Sequence, residues 1–429
     1  LACGATQTGF GRTGTVDWQT TKKTLAFTAV NGEGYFVDTA ASGAVTMTLP
    51  ASPSAGNIVA VKDYNGNFAT ANLTIGRNGS PINGASAADV TIATNGASIV
   101  LVYVDATQGW VATQDDSSLI TGASFIEATG GTITTSGSDK IHTFTGPGTF
   151  TVSSLSSAPA NNQVSYMVVA GGASGGFDDG GGGGGAGGFR EDKSPTTSYT
   201  ASPLEGAGPI TVTAAAFPIT VGAGGASRTS ASAGSPGTNS VFSTITSAAG
   251  GGGGTRPGSP DAIAGGSGGG GGGKGPPQSP SGAGNTPPVS PAQGFPGGTG
   301  NSNETCQSLG GGGGGATAAG ENRTVIQPAG GAGGAGATTE ISGSSTAYAG
   351  GGGGGGHGTQ PSPGGACGGA GGPGGGGAGS GKQNTTGGIA GTANTGGGGG
   401  GGSQINPPGG SRTSGAGGSG IVIIRYRFA

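Results

Sequence analysis

Unbroken glycine runs constrain this chain more than any other feature. They stand at Gly180–Gly185, Gly250–Gly254, Gly268–Gly273, Gly310–Gly315, Gly350–Gly356, Gly374–Gly377 and Gly396–Gly402. A run without side chains brings nothing to a hydrophobic core and is a poor helix or strand former. Two states remain open to it. One is a flexible low-complexity tail, because ordering each residue costs roughly 1–2 kcal/mol. The other is a bundle of polyglycine rods in the polyproline-II conformation, with three residues per turn and a rise of about 3.1 Å. Such a rod points its N–H and C=O groups outward, so neighbours satisfy one another. The missing Cβ also admits Cα–H···O contacts worth about 0.5–1 kcal/mol each. The runs are similar in length, the segments joining them are varied, and an apolar strand pattern follows the last run, all of which favour the bundle. Collagen is excluded, since it needs glycine at every third position.

Only 31% of the 429 residues are hydrophobic and 109 are glycine, so any side-chain core must be local. Most of the Val, Ile and Leu and both Trp precede about residue 170, and the last apolar cluster is Ile421–Ile424. Between Leu25 and Thr113 short strand patterns such as Val45, Met47, Leu49 and Val100, Val102, Val104 alternate with Asn-Gly turn or hairpin signals at 31–32, 65–66, 78–79, 83–84 and 95–96. No stretch has helical periodicity. The expected organisation is an N-terminal segment over 1–24, a β-module over 25–117, strands over 118–170, the glycine bundle with its loops over 171–420, and a closing strand over 421–429 with Arg425 and Arg427 on one face. The fold class is therefore all-β, a β-sandwich-like module followed by a β-domain carrying polyglycine II helices and variable loops.

Net charge is −3 with scattered Lys and Arg, which argues against nucleic acid as a partner. The longest apolar stretch, Ile99–Val104, is far short of the ~18 residues of a membrane span, so no membrane insertion is expected. Gly376–Lys382 has the spacing of a phosphate-binding loop, but Gln383 stands where Ser or Thr should hold magnesium. His142 and His357 are the only histidines and Cys3, Cys306 and Cys367 the only cysteines; no pair has metal-ligand spacing. Cys306 and Cys367 pair if their loops meet and are otherwise free thiols. His142 reads as structural. The acidic pairs Asp115-Asp116 and Asp178-Asp179 read as solvated turns rather than as a calcium site or a glycosidase pair, because adjacent residues on an extended chain point apart. No catalytic residues, cofactor or metal are expected.

The segment GEGYFVDTAASGAVTMTLPASPSAGNIVAVKDYNGNFATANLTIGRNGSPI, with LVYVDATQGW further on, resembles a β-module of tail fibres and other structural proteins of tailed bacteriophages. HTFTGPGTFTV, VSYMVVAGG, ITVGAGG, the glycine runs and GGSGIVIIRY resemble the glycine-rich domain of phage tail proteins, and the logic of rods and loops is similar to that of the distal adhesins of T-even-like phages. The joining segments here are richer in Pro and Ser than in aromatics, and a separate β-module comes first, which suggests a fibre subunit with its own tip. The resemblance implies a virion tail-fibre or adhesin protein, a host cell-surface receptor (outer-membrane protein or polysaccharide) and other virion tail proteins as partners, and a homotrimer. A purely structural or decoration protein of the virion is the alternative.

Antiparallel rods send successive connections to alternating ends, so about half of them reach any one tip. The longest are Phe189–Thr220, Lys274–Leu309, Ala316–Pro328, Thr338–Ala349 and His357–Pro363. Within these segments Phe189, Arg190, Tyr199, Phe295, Arg323, Tyr348 and His357 are the residue types that dominate binding interfaces, and they are the candidate receptor contacts.

Overall fold

The computed structural model describes residues 16–85, 88–114, 125–156, 159–206, 208–255, 261–273, 278–303, 307–323, 329–358, 368–381, 387–403 and 413–428. It is all-β, in two compact units: Leu1–Phe125 with Ser156–Pro159, and Ile126–Leu155 with Ala160–Ala429. Cys3, Cys306, Cys367 and the pair Asp115-Asp116 lie outside the described residues.

In the first unit the strands are β1 (Asp17–Lys23), β2 (Phe27–Thr28), β3 (Glu33–Val37), β4 (Val45–Thr48), β5 (Ile58–Asp63), β6 (Leu73–Gly76), β7 (Val90–Ile92), β8 (Ser98–Asp105) and β9 (Gly109–Gln114). They form two sheets, β1-β3-β5-β8-β9 and β2-β4-β6-β7. Up to β6 the chain changes sheet at every connection, so β1, β3 and β5 pair in parallel, as do β2, β4 and β6. The Asn-Gly turns therefore cross between layers more often than they make hairpins. Their glycines do take the positive φ that the dipeptide favours, 88° at Gly32 and 69° at Gly66. Alternate residues of both sheets meet in one core built round Trp110, Phe68, Met47, Leu49 and Leu73.

The second unit begins with β10 (Glu127–Thr129), β11 (Thr132–Ser136), β12 (Asp139–Phe144), β13 (Gly148–Ser154) and β14 (Gln163–Val169). It continues through β15 (Phe189–Asp192), β16 (Ile210–Thr211), β17 (Ala216–Thr220), β18 (Ser240–Phe242) and β19 (Ile245–Ser247). Among the glycine runs lie β20 (Asn301–Asn303), β21 (Gln307–Leu309), β22 (Ala337–Thr339), β23 (Thr346–Tyr348) and β24 (Gly356–Gly358), and β25 is Ile421–Arg427. One sheet has the order β10-β13-β17-β18-β19 and the other β11-β12-β25-β14-β15. The strand latest in sequence thus occupies the middle of its sheet, antiparallel to β12 and β14. Its alternation serves two cores. Val422, Ile424 and Tyr426 pack with Phe150, Phe242 and Tyr166 between the sheets, while Ile421 and Ile423 join Met167, Phe189 and Tyr348 on the opposite face.

From Val169 the chain passes into glycine, and hydrogen bonding changes character. The N–H groups of residues 181, 184 and 187 donate to carbonyls of 402, 399 and 396; those of 182, 185 and 188 to 254, 251 and 248; those of 183 and 186 to 311 and 314. Carbonyls repeat the pattern: 182, 185 and 188 accept from 176, 173 and 170; 180, 183 and 186 from 273, 270 and 267; 181 and 184 from 355 and 352. Each partner recurs at every third residue, so the segment 180–188 is ringed by six neighbouring segments and all of residues 181–189 are buried. Space is the other half of the explanation. A methyl group at Gly182 would overlap the Gly270 carbonyl, one at Gly183 the Gly352 carbonyl, and one at Gly353 the Gly369 carbonyl.

Candidate functional site

The hydrogen-bond register gives the bundle two distinct ends. At one, Gly188 lies beside Ala248, Gly187 beside Gly396, and Ala316 beside Ala349, where the segments meet β14, β15 and β25; we call it the sheet end. At the other, Gly181 pairs with Gly402 and Gly355, Gly182 with Gly254, and Gly180 with Gly273. This open end carries the turn 177–180, the three-stranded sheet β20-β21-β24, and the described flanks Thr255, Gly273, Arg323, Gly358, Gly381 and Ser403. The sequence 256–260, 274–277, 304–306, 324–328, 359–367, 382–386 and 404–412, next to those flanks, lies outside the described residues.

The seven candidate contacts divide between these ends. Phe189 and Arg190 are in β15 opposite Val169 and Val168, at the sheet end. Phe189, Tyr199 and Tyr348 are buried in the core cluster there, and burial raises the pKa of both tyrosines. Tyr199 lies under two cations, Arg425 at 4.8 Å and Lys193 at 5.3 Å from its ring centre. Beside it Glu191 is 2% exposed and accepts from Ser202 N–H (2.9 Å) and the Thr339 hydroxyl; burial holds its pKa above the usual carboxylate range. Phe295 is 37% exposed and also belongs to the sheet end, since its N–H donates to the Gly315 carbonyl.

Arg323 and His357 are at the open end. Arg323 is buried, ion-paired with Glu321 and donating from Nη1 to the Ala329 carbonyl (3.1 Å), so it ties down its own connection. His357 in β24 approaches Asp179, with Nδ1 3.4 Å from Oδ1. The segment Lys274–Leu309 is more than one loop: its residues 282 and 297 return to the bundle, Gly282 N–H donating to Gly269 and Gly297 N–H to Gly282.

Asp178-Asp179 is not a solvated turn. Phe177 bridges to Ser232 and Gly402, which draws the turn between neighbouring segments and leaves Asp178 1% exposed and Asp179 at one fifth exposure. The sequence signal was Phe177, a lone aromatic between two glycine-rich stretches. His142 is a core residue. Its Nδ1 is 2.7 Å from the Gly130 carbonyl and its Nε2 3.1 Å from the Tyr426 hydroxyl, it stacks on Tyr426, and burial lowers its pKa. Among the described residues no group of three or more His, Cys, Asp or Glu could hold a metal, and no helix is long and apolar enough to cross a membrane.

Fold and site together define an all-β protein whose second unit joins two sheets to a bundle of mutually hydrogen-bonded glycine segments. A family model described as a glycine-rich domain matches residues 143–427, and the chain belongs to that family. No curated protein matches it.

Proposed function

We propose that this is a virion protein of a tailed bacteriophage, a tail fibre or adhesin that recognises a host cell-surface receptor through the connections at the open end of the glycine bundle. In this reading the runs are polyglycine II rods, the partners are a host outer-membrane protein or polysaccharide and other virion tail proteins, and the assembly is a homotrimer. The observation that carries it is the three-residue periodicity of hydrogen bonding round residues 180–188. Three residues per turn is the repeat of the polyproline-II helix. A bundle of that kind is held by backbone groups rather than by side chains, and binding residues concentrate on loops carried by a rigid scaffold. Against this, Phe189, Tyr199, Arg323 and Tyr348 are buried, which favours the alternative of a structural or decoration protein as far as those side chains go.

The test exchanges the sequence between Thr255 and Asp261, and separately that between Ser403 and Thr413, for Gly-Ser linkers of equal length in the full chain. With melting unchanged, loss of binding to host cells is expected for at least one exchange. Unchanged adsorption by both would give the lead to the structural role.

A further inference from the structure

Arg425 and Arg427 project on the same side of β25, and Arg427 is opposite Asp139 across the β12 pairing. Where they meet the turn between β11 and β12 and the connection after β15, a depression of about 270 Å³ opens, lined by Ser136, Ser138, Asp139, Ser198, Arg425 and Arg427. It lies away from the open end: β25 leaves the bundle at Gly420, beside Gly222, and Arg427 is its last residue. The volume is just below the ~300–1,000 Å³ of drug-sized sites, which suits a single small ring.

Its floor is fixed. The Arg425 side chain is 3% exposed, with Nε donating to Asp139 Oδ2 (2.8 Å), Nη1 to the Glu340 carbonyl (3.0 Å) and Nη2 to the Ser198 carbonyl (3.1 Å). Ser198 N–H donates to the same Asp139 oxygen at 3.3 Å, and the Tyr199 ring backs the guanidinium. Both members of the ion pair are thus held in one geometry by groups other than each other. Asp139 Oδ1 and the hydroxyls of Ser136, Ser138 and Ser198 make no hydrogen bond to the described residues, so the floor offers one largely buried anionic acceptor and its surround three groups that both donate and accept.

The chemistry of the lining selects a ligand class. An anion gains little, because Asp139 already neutralises Arg425 and Arg427 is not without a partner of its own. An apolar ligand finds no apolar side chain among the lining residues. A calcium ion wants about six to eight oxygens and more than one carboxylate. A neutral ring bearing adjacent hydroxyls fits: one hydroxyl donates to Asp139 Oδ1 while its neighbours exchange hydrogen bonds with the serines. We propose that this depression is a saccharide subsite for one uncharged pyranose ring, separate from any recognition at the open end.

The full chain is titrated with glucose, galactose, mannose and N-acetylglucosamine by saturation-transfer NMR. Free sugars represent a soluble ligand and their methyl glycosides a ring within a glycan. At least one is expected to bind. Ser138 and Ser198 are both exposed, so Ser138→Leu with Ser198→Leu should fill the depression without a change in melting temperature and weaken binding about tenfold or more, and the paired alanine variant should weaken it less. If the leucine variant fails to fold, the alanine variant at unchanged melting temperature decides. Absence of binding by every sugar, binding indifferent to the substitutions, or displacement of sugar by inorganic phosphate overturns the proposal. Open-end exchanges that abolish host adsorption leave this binding intact, so the two readings fail separately.

Discussion

At the scale of single residues, two kinds of position bear unusual weight. Glycine in the bundle is required for space rather than for backbone freedom: a Cβ on Gly270 would run into the Gly311 carbonyl, which belongs to a backbone that cannot rotate away. Gly270→Val should therefore destabilise the second unit by more than about 4 kcal/mol, the range reserved for changes with no room to relax. Chemical denaturation reads it, and a variant that melts with the parent protein removes the close-packed account. His142 is the other kind. Its burial lowers the folded-state pKa below the ordinary 6.5, so the neutral ring is favoured on folding. The stability this contributes is fully present above pH 6.5 and is lost as the pH falls below that value toward the folded pKa. Unfolding midpoints measured from pH 7.5 to 5 should fall across that window, and His142→Gln, weaker at neutral pH, should follow a flatter curve.

Among the elements, β25 ties the most together, contributing to two cores at once. Six of its seven side chains are buried, three facing the inter-sheet core and three the opposite side, where Arg425 closes on Asp139. Truncation before Ile421 removes the middle of the sheet, separates β12 from β14 and leaves Asp139 without its arginine. We expect such a chain to be insoluble or cleaved at protease levels the intact chain resists, a loss of far more than the few kcal/mol of an ordinary surface strand. Melting like that of the intact protein would show that β25 is dispensable.

For the whole molecule, legibility in the sequence followed the physics of each signal. The apolar alternation in Ile421–Tyr426 and the Val164–Val169 pattern are local and strong, and both segments are strands. The glycine runs were legible because absent side chains leave few alternatives. The parallel winding of β1, β3 and β5 was not, since Asn31-Gly32 fixes a turn's backbone but not the sheet to which the next strand belongs. Residue type marks a candidate contact but says nothing about side: Tyr199 and Tyr348 have the same chemistry whether they face a receptor or Met167. The burial of Asp178 is not legible, because its neighbour Phe177 bridges to Ser232 and Gly402, both distant in sequence.

The central place of β25 also sets an order of events during synthesis. His142 and Tyr426, in contact through a hydrogen bond, are 284 residues apart. At roughly 5–20 residues per second, the interval between translation of β14 and of β25 is on the order of ten to fifty seconds. Throughout it the nascent chain holds two strand edges apart with nothing to seal them, and both are apolar templates for whatever strand arrives first. Native pairing must win that wait. A chain that ends before Ile421 leaves the seam between β12 and β14 open.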